Sequence, residues 1–362
     1  MSRLPLLYFV LLTCLGFTTA YAQSDSAALQ YKKLRNSYII DLTYKINISP
    51  YLLASGNGFA LRSDHHIRVR PNEIGSFGLR ITHRWVSGAL AFGVKNILSD
   101  KRGTTEFVNL SINTYRQKWG FDGYYHYYKG QYIANDEIAN LPQYINTKTY
   151  PILPNVNTLY AGANAYYVSN HRKFSYRASF MNNEIQKKSA GSFVLMLSFS
   201  HFSMSSDTGF VPGDLQSSVP LTSQIIDGKF NSWSVMPGYA YTWVFAKKYY
   251  FTISPSIGLM TQFQDYTTRG IPEKGKTDGN VIYPRAMARA AIGFNASKWY
   301  WGISAFADNY IVRLPEKDML IYNIGHGNIY VGWRLNVPKR FRKLSKTINE
   351  YAPENIINDI TH

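Results

Sequence analysis

The sequence predicts an all-β fold: a transmembrane antiparallel β-barrel with an even number of strands, 12–14. Three observations carry this. From Tyr38 to Ser49 the residues alternate, with Tyr38, Ile40, Leu42, Tyr44, Ile46 and Ile48 on one parity and Ile39, Asp41, Thr43, Lys45, Asn47 and Ser49 on the other. Side chains of a strand point to alternate faces, so this strand has an oily side and a wet side. The pattern recurs nearly to the end of the chain, behind a secretory leader. The connections between strands alternate between short and long.

The first 22 residues read as the leader: Arg3 is the positive start, Leu4 to Leu15 the apolar run, and Ala20-Tyr21-Ala22 the cleavage site. No later stretch holds the ~18 uninterrupted apolar residues that a spanning helix requires. A chain that crosses lipid without such helices must close its strands on themselves, because an open edge leaves backbone groups unpaired. The only cysteine, Cys14, lies in the leader, so the mature chain has no disulfide or thiol chemistry. The 29 Tyr and 20 Phe help bring aromatics to 15% of the chain. Tyr and Trp suit a membrane interface, with an apolar body and a polar tip. The mean hydropathy of -0.23 is compatible with insertion, since half of each barrel strand faces water. A net charge of +17 points to anionic partners. These are outer-membrane lipids including lipopolysaccharide, or an anionic small solute. Nucleic acid is excluded by the leader and by the scatter of the basic residues.

The elements follow in order. Ser24 to Asn36 is polar and does not alternate, which predicts a periplasmic lead-in. After the strand at Tyr38, Tyr51 to Asn72 is mixed, with Ile67 to Arg70 alternating after an interruption at Ser63 to His66. Phe77, Leu79, Ile81 and Trp85 oppose Arg80, Thr82 and Arg84. Leu90, Phe92 and Val94 oppose Ala89, Ala91 and Gly93, and Val108, Leu110 and Ile112 oppose Asn109, Ser111 and Asn113. Trp119, Phe121, Tyr125 and Tyr127 oppose Asp122 and His126. Leu159 to Tyr167 gives a further face, as do Phe174, Tyr176, Ala178 and Phe180 against Ser175, Arg177 and Ser179. Strands are then predicted at Phe193 to Phe199, Trp233 to Phe245, Tyr249 to Leu259, Ala286 to Phe294, Trp299 to Ile303 and Ile329 to Leu335.

The predicted tight turns are Gln117-Lys118, Ser169 to Lys173, Ala246 to Lys248 and Ala296 to Lys298. The long connections are Gly130 to Asn157, Gln264 to Pro284 and Tyr310 to Ile324. Outer-membrane barrels have short periplasmic turns and long outer loops, which places the Lys-bearing turns in the periplasm. With both termini on that side the count is even: Tyr51 to Asn72 is then mostly an outer loop, or two short strands, and the loop with a hidden strand around Leu221 to Ile226 gives 14 strands, or 12 if two marginal strands fail. The domains are then a signal peptide (1–22), a lead-in (23–37), the barrel (38–337) and a basic tail (338–362) beginning Lys339-Arg340-Phe341-Arg342-Lys343. Tyr330 to Val337 resembles an internal signal for the barrel-insertion machinery. The tail is expected to be a disordered extension, with an amphipathic helix on the inner leaflet as the alternative.

Three segments are less generic. They are Tyr124 to Tyr132, the pair Phe174 to Ala178 with Gln186 to Phe193, and Pro237 to Thr242. Together, over about residues 30 to 337, they resemble the bacterial family catalogued as domain of unknown function 4421. The resemblance implies an outer-membrane β-barrel of a Gram-negative envelope and implies no mechanism or catalytic residue.

The residues that carry chemistry lie on the wet parity. Arg80, Arg84, Arg177, Arg285, Arg289 and Arg334, with Lys45, oppose unambiguous oily faces, and their parity directs them to the lumen; Arg68 and Arg70 join them less surely. Asp41, Asp122 and Asp308 share it. One reading is a basic lumen that attracts an anionic solute or lipid headgroup, as in anion-selective pores, making the protein a channel or binding barrel. The other is a packed lumen in which arginines pair with acids or with a loop folded inward. The alternative function is a barrel enzyme acting on lipid A or phospholipid acyl chains. Such an enzyme needs a Ser–His pair with Asn or an acid, and His83, His126, His171, His201 and His326 are available. His201-Phe202-Ser203 and Gly325 to Asn328 stand out, but no spacing selects them, and an interface or loop role is expected for each. Asp64-His65-His66 is expected to be a solvated loop rather than a metal site, since adjacent side chains on a strand diverge. No cofactor motif is present, and the expected role is not enzymatic.

Overall fold

The computed structural model describes residues 29–34, 37–48, 51–54, 66–72, 75–83, 86–94, 100–134, 150–207, 209–210, 224–269, 271–277, 282–313 and 319–336. The expected signal peptide, Arg84, Trp85, Asp64, His65 and the basic tail lie outside these residues.

The strands are β1 (Tyr31–Lys33), β2 (Ser37–Ile48), β3 (Tyr51–Ala54), β4 (His66–Arg70), β5 (Gly75–His83), β6 (Val86–Val94), β7 (Glu106–Tyr115), β8 (Trp119–Ile133), β9 (Ile152–Val168), β10 (Glu184–Gln186), β11 (Ala190–Ser205), β12 (Ile225–Phe245), β13 (Tyr249–Thr268), β14 (Ile271–Thr277), β15 (Ile282–Asn295), β16 (Trp299–Arg313) and β17 (Met319–Asn336). One short helix, α1 (Tyr176–Phe180), lies between β9 and β10. Among the described residues twelve strands close a ring: β2, β5, β6, β7, β8, β9, β11, β12, β13, β15, β16 and β17, with β17 returning to β2. Every pairing is antiparallel. The seam runs from Ser37↔Asn336 to Ile48↔Gly325, so the ends of the barrel chain meet edge to edge. Gly332 is required there, because a Cβ would lie 2.3 Å from the Tyr300 ring and 2.8 Å from the Asp41 Cβ.

The oily parity faces outward. Leu42, Phe77, Leu110, Trp119, Phe193, Trp233, Ile257, Ile292 and Ile329 are all exposed, and the intervening side chains are mostly buried. Aromatic neighbours such as Trp119–Tyr167 and Phe294–Trp299 occur next to the short-turn end, and Phe199–Trp233 towards the other. A closed ring with an apolar outer band edged by aromatics is the build of a membrane-spanning barrel. The turns at Gln117-Lys118, Ala246 to Lys248 and Ala296 to Lys298 all fall at the end where both termini lie, as expected.

Three expectations are corrected. Phe174 to Phe180 is not a strand: β9 pairs directly with β11, which leaves no place in the wall. The segment instead turns into the lumen, and the Ser175 side chain caps α1 by accepting from the Ala178 N–H at 3.1 Å. Ser169 to Lys173 therefore opens an inward excursion rather than a hairpin. No strand is needed around Leu221 to Ile226, since β11 pairs β12 through to Ser205↔Asp227; Ile225 and Ile226 open β12, and 221–223 lie outside the described residues. Within the expected lead-in, β1 pairs with β10.

The long connections are shorter than expected because the ladder continues beyond the oily band. β13 reaches Thr268 and bonds back to β14, and β8 reaches Ile133. Beyond the lipid the outer face has no need to be apolar, so alternation fades while backbone pairing persists. Tyr51 to Asn72 holds two short strands. β3 extends β2 along β17, and β4 crosses to bond β8 at Val69↔Ile133, above the short β6–β7 hairpin.

Candidate functional site

The lumen is filled in three tiers. At the short-turn end sits a plug made of residues 169–189 and β1. Its carbonyls and hydroxyls bond to the wall: Asn295 Nδ2 donates to the carbonyls of Ala178 and Glu184, both at 3.1 Å, and Arg80 Nη1 to Phe180 O at 3.2 Å. Ser179 Oγ lies 2.6 Å from Thr252 Oγ1 and Tyr176 OH 3.0 Å from Ser254 Oγ. Arg334 on the last strand donates to Asn182 O, Ala296 O and Asn295 Oδ1, clamping the plug. Within the plug, Arg177 lies 3.3 Å from Glu184. Burial pushes the Glu184 carboxyl up; Arg177 and the Ser175 hydroxyl pull it down without cancelling that effect.

The outer tier is an aromatic stack. Tyr310 lies on Tyr322 at 4.6 Å, Tyr322 on Phe202 at 4.3 Å, and Phe202 on Tyr160 at 4.6 Å. Sequence reasoning assigned aromatics to the lipid face and missed these. Their signal was parity, since Tyr160, Phe202 and Tyr310 fall out of step with the oily positions.

Between the tiers stand buried ion pairs that use the three predicted acids. Asp41 is held by Arg80 Nε at 2.8 Å and by Tyr300 OH at 2.7 Å. Arg289 pairs with Asp122, which also accepts from Tyr166 OH at 2.6 Å. Arg285 is fully buried and grips Asp308 with two bonds, at 2.6 and 3.0 Å, while donating to Ser198 and Ser234. The predicted arginines thus do not line an open basic bore. Arg80, Arg285 and Arg289 hold acids, Arg177 lies in the plug, Arg334 holds the plug in place, and Arg84 lies outside the described residues.

Beside these pairs is a chamber of about 160 Å³, whose lining includes Lys45, Arg80, Asn109, His126, Asn164, Phe180, Phe306 and His326. The plug residue Phe180 bounds it on one side, and Tyr124 and Ile324 belong to its outer part. Several buried atoms here have no protein hydrogen-bond partner: Nδ1 of His126, Nδ1 of His326, Nη2 of Arg80 and both side-chain amide atoms of Asn164. Buried polar atoms are normally bonded, so this cluster is poised toward whatever fills the chamber. His126 and His326 are far apart in sequence, and only ring closure brings them to one chamber.

A family model described as Domain of unknown function (DUF4421) matches residues 23–335. No curated protein matches the chain. Among solved structures it is similar to the outer membrane protease OmpT from Escherichia coli, at 6% identity and TM-score 0.36, covering 86% of this chain and 100% of that one. It is also similar to the P. putida toluene transporter TodX, at 10% identity and TM-score 0.26, covering 83% and 90%. The outer membrane protein OprG from Pseudomonas aeruginosa matches at 9% identity and TM-score 0.22, covering 85% and 100%.

Proposed function

The chain belongs to the DUF4421 family and folds as an outer-membrane-type β-barrel, and from that premise we propose that it is a plugged binding barrel for a small anionic solute. The observation that carries the reading is the chamber. Lys45, Arg80, His126 and His326 meet there with Asn164, and unpartnered polar atoms of four of these residues are held in a low-dielectric interior. The donors among them, the Arg80 guanidinium and the Asn164 amide NH₂, together with the Lys45 ammonium, are fixed before the ligand arrives and suit a carboxylate or phosphate. Binding fits better than free conduction, because the plug and the aromatic stack flank the chamber. Passage through the barrel then requires the plug to move, and the Arg334 clamp is one of the contacts that restrain it, with Asn295 and Arg80.

The test is calorimetric titration of the folded, heat-modifiable protein in detergent with inorganic phosphate and with acetate at low salt. Saturable binding of at least one probe is expected, weakened about 10-fold or more by Lys45→Gln combined with His326→Gln. Absence of saturable binding for both anions, or binding unchanged in the double variant, refutes the reading.

A further inference from the structure

The outer wall carries a second constellation, unconnected with the chamber. In β11, Phe202 and Met204 are buried in the lumen, so His201 and Ser203 lie on the opposite, outward face. His201 pairs across the ladder with Asn231 of β12, and its Nδ1 lies 2.8 Å from Asn231 Oδ1. An amide oxygen only accepts, so Nδ1 carries the proton and Nε2 is left as the basic nitrogen. Ser203 follows two residues along the same face, about 7 Å away along the strand, and rotation of the Ser203 side chain turns its hydroxyl toward the imidazole while Nδ1 stays bonded to Asn231. Ser203 is in register with the exposed Lys229.

The height of this group on the barrel matters. The neighbouring outward pair on the membrane side is Phe199 and Trp233, whose rings are 4.7 Å apart, and beyond them come the exposed Leu197, Val235 and Leu195. On the other side the ladder turns polar at Ser205↔Asp227. His201, Ser203 and Asn231 therefore lie where the oily band gives way to the outer polar wall. Acyl ester linkages of membrane lipids occupy this same boundary, between their chains and their headgroups.

We propose that Ser203, His201 and Asn231 form a nucleophile, base and orienting residue that hydrolyse an acyl ester of an outer-leaflet lipid. Ser203 Oγ attacks the ester carbonyl carbon as its proton passes to His201 Nε2. The tetrahedral intermediate expels the lipid's alkoxy oxygen, which takes that proton and departs as the deacylated lipid. Water then adds to the acyl-serine carbonyl, giving a proton to His201. Ser203 leaves and recovers the proton, and the second product is a free fatty acid. Asn231 holds the imidazole in the required tautomer, and Lys229 supplies positive charge beside the developing oxyanion.

The experiment uses the full-length folded barrel with vesicles of phosphatidylethanolamine and, separately, of lipopolysaccharide, and measures fatty acid release. It also treats the protein with a fluorophosphonate and locates the label by mass spectrometry. Release from one vesicle type identifies that lipid as the substrate source, and release from both leaves the acyl ester as the shared target. Ser203→Ala and His201→Ala should each lower release at least about 10³-fold, and Asn231→Ala by a smaller factor, with heat-modifiable migration unchanged because all three residues lie outside the lumen. The label should fall on Ser203 and be lost in His201→Ala. Absence of both release and Ser203 labelling in folded protein overturns the proposal, as does release that persists in Ser203→Ala. Neither result bears on anion binding in the chamber.

Discussion

Arg285→Met should be among the most damaging single substitutions in the lumen wall. The guanidinium is fully buried, makes a two-point contact with Asp308, and donates to the hydroxyls of Ser198 on β11 and Ser234 on β12. Removing it leaves the Asp308 carboxylate in the interior with only the Tyr310 hydroxyl, at 3.0 Å, still donating. Breaking one partner of a buried pair costs about 3–5 kcal/mol, which is a factor of roughly 10²–10⁴ in the folding constant. The companion variant Arg285→Met with Asp308→Leu removes both charges. It should recover most of that loss, retaining about 1–2 kcal/mol for the hydroxyls that lose their partner. The assay is urea unfolding of the barrel in phospholipid vesicles, read by tryptophan fluorescence and gel migration. Because the pair is shielded from solvent, the difference should persist when salt is raised from about 0.05 to 0.5 M. A single-variant cost below about 1 kcal/mol, or strictly additive single and double variants, would refute the reasoning.

Two further outcomes are expected. Burial raises the Glu184 carboxyl in the plug, so the folded state holds that proton more tightly than the unfolded chain; its contribution is complete below the ordinary value of 4.5 and is lost as pH rises through the folded value. Urea midpoints measured between about pH 4 and 8 should show this loss in the wild type, and Glu184→Gln should remove that component; identical pH profiles would contradict it. At the three-residue β12–β13 connection, Ala246 (φ 46°) and Lys247 (φ 61°) both occupy the left-handed region, as the central positions of a type I′ turn do, and the Lys248 N–H donates to the Phe245 carbonyl at 3.2 Å. Replacing them with Asn-Gly should raise stability by about 1 kcal/mol, seen as a later urea midpoint at constant m-value.

The wall was legible in the sequence because lipid outside and a filled lumen inside impose a strict period of two. The alternation at Leu42, Phe77 and Ile329 needs no knowledge of strand partners. The plug was misread for a related reason. Phe174, Tyr176, Ala178 and Phe180 alternate with polar residues, but inside a lumen every side of a segment is enclosed, so polarity no longer reports which way it faces. A five-residue helix is also too short to display a helical period. The lumenal arginines and acids were legible one by one from parity. Their pairing was not: Arg289 and Asp122 are 167 residues apart, and their meeting depends on the girth and stagger of the closed ring. The meeting of His126 and His326 in one chamber was hidden for the same reason. His201-Phe202-Ser203 was visible as a string, but Asn231 became its neighbour only through the β11–β12 register.

The last strand has a consequence for the order of events during assembly. β17 completes the ring against β2, and the same strand carries Arg334, which holds the plug by the carbonyl of Asn182 while also bonding the wall-turn carbonyl of Ala296. The plug is made and exported long before that arginine, and Arg334 joins the contacts from Arg80, Asn295 and Thr252 only when the last strand arrives. Sealing the wall and adding the last of the plug's contacts are therefore one terminal step. A chain stalled short of β17 would leave two raw edges and a loose interior together, a state that quality-control proteases can recognise from either defect.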